Sequence, residues 1–190
     1  MRRKNAVIIF TRVPEAGKTK TRLMPYLSAE ACRELHICFL KDIAKQTKIS
    51  ADLFVCHTPE DKEGILKEIF GGKVEYFLQE GEGLGRRMEE AIHRVLAKGY
   101  DSCVLTGTDV PEIQSGDFEQ AFSLLRRKDV VFGPARDGGY YLIGMNKLCK
   151  EAFEKHSYGH GTVLEDLPYD PDRYLAHTHR FKTIYTGRLS

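Results

Sequence analysis

The chain has no CxxC cysteine pair, no apolar stretch long enough to cross a membrane, and no marked excess of charge of one sign. Each absence removes a class of function. The five cysteines, Cys32, Cys38, Cys56, Cys103 and Cys149, are odd in number and unpaired in spacing, which does not suit a disulfide framework. Cys56 and Cys103 lie inside apolar runs, where a reduced thiol behaves as a small hydrophobe, so a reducing compartment is expected. The basic start Met1-Arg2-Arg3-Lys4-Asn5 is followed by an apolar run, Ala6 to Phe10, too short for a signal h-region. A cytoplasmic protein, neither secreted nor membrane-bound, is the expectation. The net charge of +2, with basic residues spread along the chain, argues against a nucleic-acid partner. Recognition of an anion must come from a local cluster. Internal repeats, linkers and low-complexity tracts are also missing.

What is present fits one domain. A length of 190 residues allows one sizeable core. Apolar runs at Ala6–Phe10, Ala51–Cys56, Val74–Leu78, Ser102–Thr106, Val130–Phe132 and Tyr140–Met145 read as strands. Between them, Ala31, Leu35, Cys38, Phe39 and Ile43 recur at helical spacing behind Ser28 as N-cap. A short helix runs from Thr58-Pro59-Glu60 to about Phe70 and ends at Gly71-Gly72. Leu84, Met88, Ala91, Ile92, Val95 and Leu96 mark a further helix closed by Gly99, and Phe118, Ala121, Phe122 and Leu125 line another. The alternation predicts an α/β fold, a single Rossmann-like domain with a mostly parallel central sheet and helices on both faces. Ligands of such sheets bind beyond the carboxyl ends of the strands.

Three chemically loaded segments lie at those ends. Arg12-Val-Pro-Glu-Ala-Gly-Lys-Thr-Lys-Thr-Arg22 carries four cations against one carboxylate. Its Gly17-Lys18-Thr19 looks like the end of a P-loop, but the glycine required five residues earlier is Arg12, and Pro25 would interrupt the helix a P-loop feeds. The alternative to phosphate binding is a solvated surface loop. Position after the first strand favours an anion site, and Lys20 and Arg22 would share a direction if this stretch is extended.

Gly107-Thr-Asp-Val-Pro111 presents Asp109 at the end of a buried strand, where it can hold Mg²⁺ or Mn²⁺ with phosphate oxygens or else cap the turn or the next helix. In Arg136-Asp-Gly-Gly139, Asp137 reads as a turn residue, as a second metal ligand or as a base, and the glycines would let a ligand come close. Arg87 begins a helix after Glu82-Gly-Leu-Gly, as an exposed helix residue or a ligand contact. The late histidines, 156, 160, 177 and 179, have no zinc-site spacing and read as surface residues.

Phe10 to Leu23, Gly107 to Pro111 and Gly133 to Gly144, in that order, resemble the bacterial radical-SAM/selenodomain-associated transferases, also described as arsenosugar-biosynthesis-type glycosyltransferases. The likeness runs from Val7 to about Leu164. More distantly the pattern is similar to guanylyltransferases of molybdenum-cofactor and phospholactate metabolism. The resemblance implies a GT-A fold and nucleotide-diphospho-sugar chemistry. It implies phosphate contacts at Lys20 and Arg22, metal at Asp109, and site roles for Asp137, Gly138 and Arg87; Arg12 and Gly17 of the same basic loop are further phosphate-binding candidates. Gly83 departs from the acidic or amide residue usual in that family. So does the end: residues 167–190 read as an atypical tail after a domain of residues 1–166. A sheet short of an edge strand would recruit a second copy, hence the hypothesis of a homodimer.

The expected activity is glycosyl transfer from a nucleotide-diphospho-sugar to a small-molecule acceptor. The alternatives are nucleotidyl transfer from an NTP to a phosphorylated small molecule, or a nucleotide-binding module without catalysis.

Overall fold

The computed structural model describes residues 4–60, 62–135 and 139–153, together with the strand backbone of 177–179 and 181–187. The order of elements is β1 (Asn5–Arg12), α1 (Ala29–Gln46), β2 (Asp52–Thr58), α2 (Gly64–Phe70), β3 (Glu75–Leu78), α3 (Gly83–Leu96), β4 (Ser102–Thr106), α4 (Ser115–Leu124), β5 (Val130–Pro134), β6 (Tyr140–Met145), β7 (His177–His179) and β8 (Phe181–Gly187). They form one sheet in the order β3-β2-β1-β4-β6-β5-β8-β7. The pairings β3–β2, β2–β1 and β1–β4 are parallel, and those of β6 with β4 and β5 are antiparallel. The six strands from β3 to β5 thus make a mostly parallel α/β sheet.

The apolar run of β1 explains its central place. Ala6, Ile8 and Phe10 enter one core cluster with Met88, Ala91, Ile92 and Val95 of α3. Val7 and Ile9 enter the opposite cluster with Leu40 and Ile43 of α1, Leu66 of α2 and Phe118, Ala121 and Phe122 of α4. Alternate residues of an extended strand face opposite ways, so both faces of β1 must be apolar when helices cover both. Each large side chain buried this way contributes roughly 1.5–3 kcal/mol.

Helix α1 begins as its cap predicts: the Ser28 Oγ accepts the Ala31 amide at 3.1 Å. Its inner face is displaced from the expected one. Cys32, His36, Ile37, Leu40 and Ile43 are buried, whereas Cys38 is exposed and Ala31, Leu35 and Phe39 are only half-buried. The stripe rotates because a histidine on the inner line is accommodated by a polar partner, which an apolar periodicity does not detect. Leu84 is likewise not part of the core, being 44% exposed in the first turn of α3. Helix α2 starts at Gly64, later than the Thr58-Pro59-Glu60 signal.

Strand β8 lies antiparallel to β5, pairing Val131 with Thr186 and Phe132 with Tyr185. The sheet therefore does not lack a strand beside β5, and the missing-edge reason for a homodimer no longer applies. Residues 154–176, with two of the late histidines, lie outside the described residues, as do the side chains of His177 and His179.

Gly133 and Gly144, in the antiparallel half, are packing positions. A Cβ on Gly133 would stand 2.8 and 2.9 Å from the Tyr141 ring and 3.0 Å from the Leu142 Cβ. Gly133→Ala is expected to cost about 1–3 kcal/mol by overpacking, read as a lower denaturation midpoint with an unchanged denaturant slope. An unshifted midpoint would mean that the Tyr141 ring swings aside freely.

Candidate nucleotide and phosphate site

Strands β1, β2, β3 and β4 run the same way, so their carboxyl ends share one edge. From β1 the chain proceeds outward through β2 to β3, then returns to place β4 on the other side of β1. The reversal between β1 and β4 is the topological switch point, the crevice in which open α/β sheets bind ligands. The basic loop leaves β1 there and the Gly107–Pro111 turn leaves β4 there.

The basic loop is compact. The Glu15 carbonyl accepts the amides of Lys18 (3.2 Å) and Thr19 (3.1 Å), and the Glu15 amide donates to Thr19 Oγ1 at 2.9 Å. Gly17 allows the turn with φ +77°, a left-handed value that favours glycine. The Glu15 carboxylate pairs with Lys62 (2.5 Å) and Lys18 (3.5 Å), and the hydrogen bond from Lys62 holds it below its ordinary value. Lys18 is thereby tied to its own loop. No helix follows Gly17-Lys18-Thr19 directly; one 3-10 turn, Thr21–Leu23, does, in keeping with the rejected P-loop.

Lys20 takes the opposite course. It adopts a left-handed backbone (φ 53°), and its ammonium lies 4.4 Å from the centre of the Phe39 ring while forming an ion pair with Asp109 Oδ1. The loop after β1 and the turn after β4 thus meet through one cation and one carboxylate. Lys20 and Arg22 do not share a direction by alternation, because the stretch is not extended. The Lys20 side chain is 10% exposed, and Arg22 sits exposed on the 3-10 turn.

Asp109 does not cap the next helix. Helix α4 is closed by a capping box of Gln114 and Asp117. The Asp109 side chain is 82% exposed, and among the described residues its only polar partner is Lys20. Among those residues no three His, Cys, Asp or Glu side chains converge on a metal position. A cation at Asp109 would need substrate phosphate oxygens, or Asp137, to complete its shell. Asp137 and Gly138 lie outside the described residues, as does Arg136.

Arg12 is exposed at the end of β1, and its carbonyl accepts hydrogen bonds from below. Arg87, half-buried, donates from Nε to the Gly81 carbonyl at 2.9 Å, so it holds the loop in front of α3. That loop also explains Gly83, which sits at φ +77° where an acidic or amide side chain would be strained.

Beneath Lys20 and Asp109 lies a polar layer that the motifs do not reveal. His36, Thr11 and Thr108 are 3%, 3% and 7% exposed. His36 Nε2 is 3.2 Å from both Thr11 Oγ1 and the Arg12 carbonyl, and Thr11 Oγ1 is 3.3 Å from Thr108 Oγ1. Gln79 closes the neighbouring strand ends, donating to the carbonyls of Thr11 (2.9 Å) and Cys56 (3.4 Å). The sequence signal available was a histidine in line with Cys32, Leu40 and Ile43.

Burial pushes His36 below its ordinary value, with the Arg12 carbonyl opposing and the Lys20 charge assisting. Below the unfolded value of about 6.5, the unfolded chain binds more protons than the folded one. Stability therefore falls as pH drops through that value. His36→Gln is expected to lose less stability than the parent protein between about pH 7 and pH 5, measured by urea midpoints. Equal losses would place the acid sensitivity elsewhere.

A family model described as "Uncharacterized protein conserved in bacteria (DUF2064)" matches residues 41–160. The chain belongs to this family. A likeness to a solved structure extends further: a protein from Desulfovibrio desulfuricans G20, provisionally named a nucleotide-diphospho-sugar transferase, is 32% identical. Its crystal structure matches with a TM-score of 0.79 over 85% of this chain and 72% of that one. The 2-phospho-L-lactate guanylyltransferase of Methanocaldococcus vulcanius is 26% identical over 171 residues, 90% of this chain and 69% of the enzyme. The chain spans only 55% of the corresponding enzyme of Methanocaldococcus sp. FS406-22. The 4-diphosphocytidyl-2C-methyl-D-erythritol synthase of Anaerococcus prevotii shares the fold alone, at 16% identity and TM-score 0.52 over 86% of this chain and 80% of that one. The guanylyltransferases and the Desulfovibrio protein are transferases by name, the Anaerococcus protein is named a synthase, and none of the names carries an arsenosugar. Among the described residues no helix is long and apolar enough to cross a membrane.

Proposed function

We propose that this protein transfers a nucleotidyl group from a nucleoside triphosphate to a phosphorylated small molecule. The observation that carries the reading is the meeting of Lys20 and Asp109 at the β1/β4 switch point. A cation and a carboxylate in contact there suit a magnesium-bound polyphosphate better than a neutral ligand: the ammonium faces phosphate oxygens and the carboxylate faces the metal. The 26% identity to a guanylyltransferase across 90% of this chain supports the same chemistry.

In this reading a phosphate oxygen of the acceptor attacks the α-phosphorus, and the bond to the bridging oxygen breaks to release pyrophosphate. Lys20 neutralises charge on the phosphates. Arg12 and Arg22 lie exposed on the same loop, and Gly17 leaves space for a close approach. Asp109 would hold Mg²⁺ or Mn²⁺, which when bound offsets charge on the diphosphate. Asp137 would serve as a second ligand or as a base, with Gly138 beside it, and Arg87 would steady the loop that faces the ligand.

Glycosyl transfer from a nucleotide-diphospho-sugar, the first expectation from the sequence, becomes the second reading. The provisional name of the 32% identical relative favours it. The test is incubation with GTP or CTP, Mg²⁺ and phosphorylated hydroxy acids such as 2-phospho-L-lactate. Pyrophosphate release dependent on the acceptor is expected. Release of a nucleoside diphosphate from a sugar nucleotide instead would replace nucleotidyl by glycosyl transfer. A thermal shift corresponding to about 2.7 kcal/mol is expected at a hundredfold excess over Kd. No shift with any nucleotide would remove both readings.

A further inference from the structure

His36 is an odd residue to bury. It sits in the inner stripe of α1 among Cys32, Ile37, Leu40 and Ile43, 3% exposed, and among the described residues its Nδ1 has no hydrogen-bond partner. A leucine would fill such a place without an unsatisfied polar atom. What the imidazole gains lies on its other nitrogen. The Arg12 carbonyl can only accept, so the 3.2 Å contact requires the proton on Nε2, shared with the Thr11 hydroxyl oxygen at the same distance, and leaves Nδ1 as the bare nitrogen. The direction of the remaining bonds follows. Thr11 Oγ1 donates to the same carbonyl at 3.0 Å, which leaves its lone pairs to receive the Thr108 hydroxyl at 3.3 Å.

Three elements are joined by this layer: α1 through His36, the end of β1 through Thr11 and Arg12, and the turn after β4 through Thr108. Thr108 is the residue before Asp109, and Phe39, one turn after His36 on α1, carries Lys20 at 4.4 Å. One helix thus touches the β1 side of the crevice directly and reaches the turn after β4 through Thr11.

We infer that His36 is a positioning residue of the nucleotide site, which through Thr11 holds Thr108 and so fixes the turn that presents Asp109. The inference rests on the proposed nucleotide-binding reading. His36 touches no reacting group; its role is to set the angle and reach of the carboxylate. Supporting partners of this kind typically change metal affinity by about 10–100-fold when removed.

The experiment is calorimetric binding of GTP and CTP to the full chain, with Mg²⁺ and with EDTA. In the parent protein Mg²⁺ is expected to tighten binding. His36→Leu should lose about tenfold of that gain while leaving affinity in EDTA unchanged. His36→Gln, whose side-chain amide nitrogen can stand near Nε2, should recover most of the loss. The isosteric Thr108→Val tests the same link without disturbing the core, should His36→Leu fold poorly. Because both act through one chain of bonds, the double variant His36→Leu/Thr108→Val should be no worse than the weaker single one.

Losses that add, a Mg²⁺ gain unchanged in both single variants, or no recovery by glutamine would overturn the inference while leaving the nucleotide reading standing. If the parent protein binds neither nucleotide, that reading falls and the inference with it. The ring itself gives an independent check: nitrogen-15 shifts of His36 should show the Nε2–H tautomer, and the Nδ1–H tautomer would refute the bonding scheme.

Discussion

Asp109→Asn is expected to abolish the Mg²⁺-dependent part of nucleotide affinity and to lower turnover by about 10²–10³-fold, with almost no change in stability. The two halves of that result have separate causes. Asparagine keeps the size of the side chain and the hydrogen-bonding reach, but removes the charge that a hard cation requires. The fold loses little, because the carboxylate is 82% exposed, its only polar partner among the described residues is Lys20, and it caps no helix. The Lys20 end of the pair is only 10% exposed but keeps its contact with the Phe39 ring, and a pair open to solvent at the carboxylate is worth roughly 0–1 kcal/mol. The measurements are Mn²⁺ binding by electron paramagnetic resonance, steady-state turnover and a thermal melt of the same preparation. Undiminished Mn²⁺ binding would move the metal away from Asp109.

Lys20→Met is the second large effect. Methionine retains an unbranched stem against Phe39 and deletes the ammonium. Hydrogen bonds to charged groups contribute about 1.5–3 kcal/mol, so triphosphate affinity should fall by roughly 10–100-fold. The nucleoside without phosphates should bind as it does to the parent protein. Lys18→Met is the matched control, since Lys18 is 61% exposed and paired with Glu15 of its own loop; a change under about twofold is expected, the usual scale for an exposed pair. With Lys20 gone, Asp109 loses its competing cation, and Mn²⁺ alone should bind more tightly, not less. Equal loss in the Lys18 and Lys20 variants would mean that the loop acts through its total charge and not through one placed side chain.

Much of the architecture could be read in the chain. The fully apolar β1, the helical spacing of Phe118, Ala121, Phe122 and Leu125, and Ser28 as a cap each express a local rule that the fold obeys. The errors also have local causes. The inner face of α1 is displaced because His36 is buried and Phe39 is only half-buried. Leu84 is exposed because α3 begins only at Gly83, and its first turn lies at the rim of the sheet. The tail reads as irregular because the alternation of β8 is weak over seven residues.

By itself the sequence determined the class of fold, the crevice edge and the two charged segments that face it. These follow from strand and helix periodicity and from the rule that loops at strand ends carry function. Only the tertiary structure decided which lysine of the basic loop reaches the acidic turn. It also revealed the buried His36–Thr11–Thr108 layer beneath them. Lys20 and Asp109 are 89 positions apart, and Thr11 and Thr108 are 97 apart. No local pattern encodes such distances. They are set by β4 returning to the free side of β1, a choice made by burial of the whole sheet and by none of these residues alone.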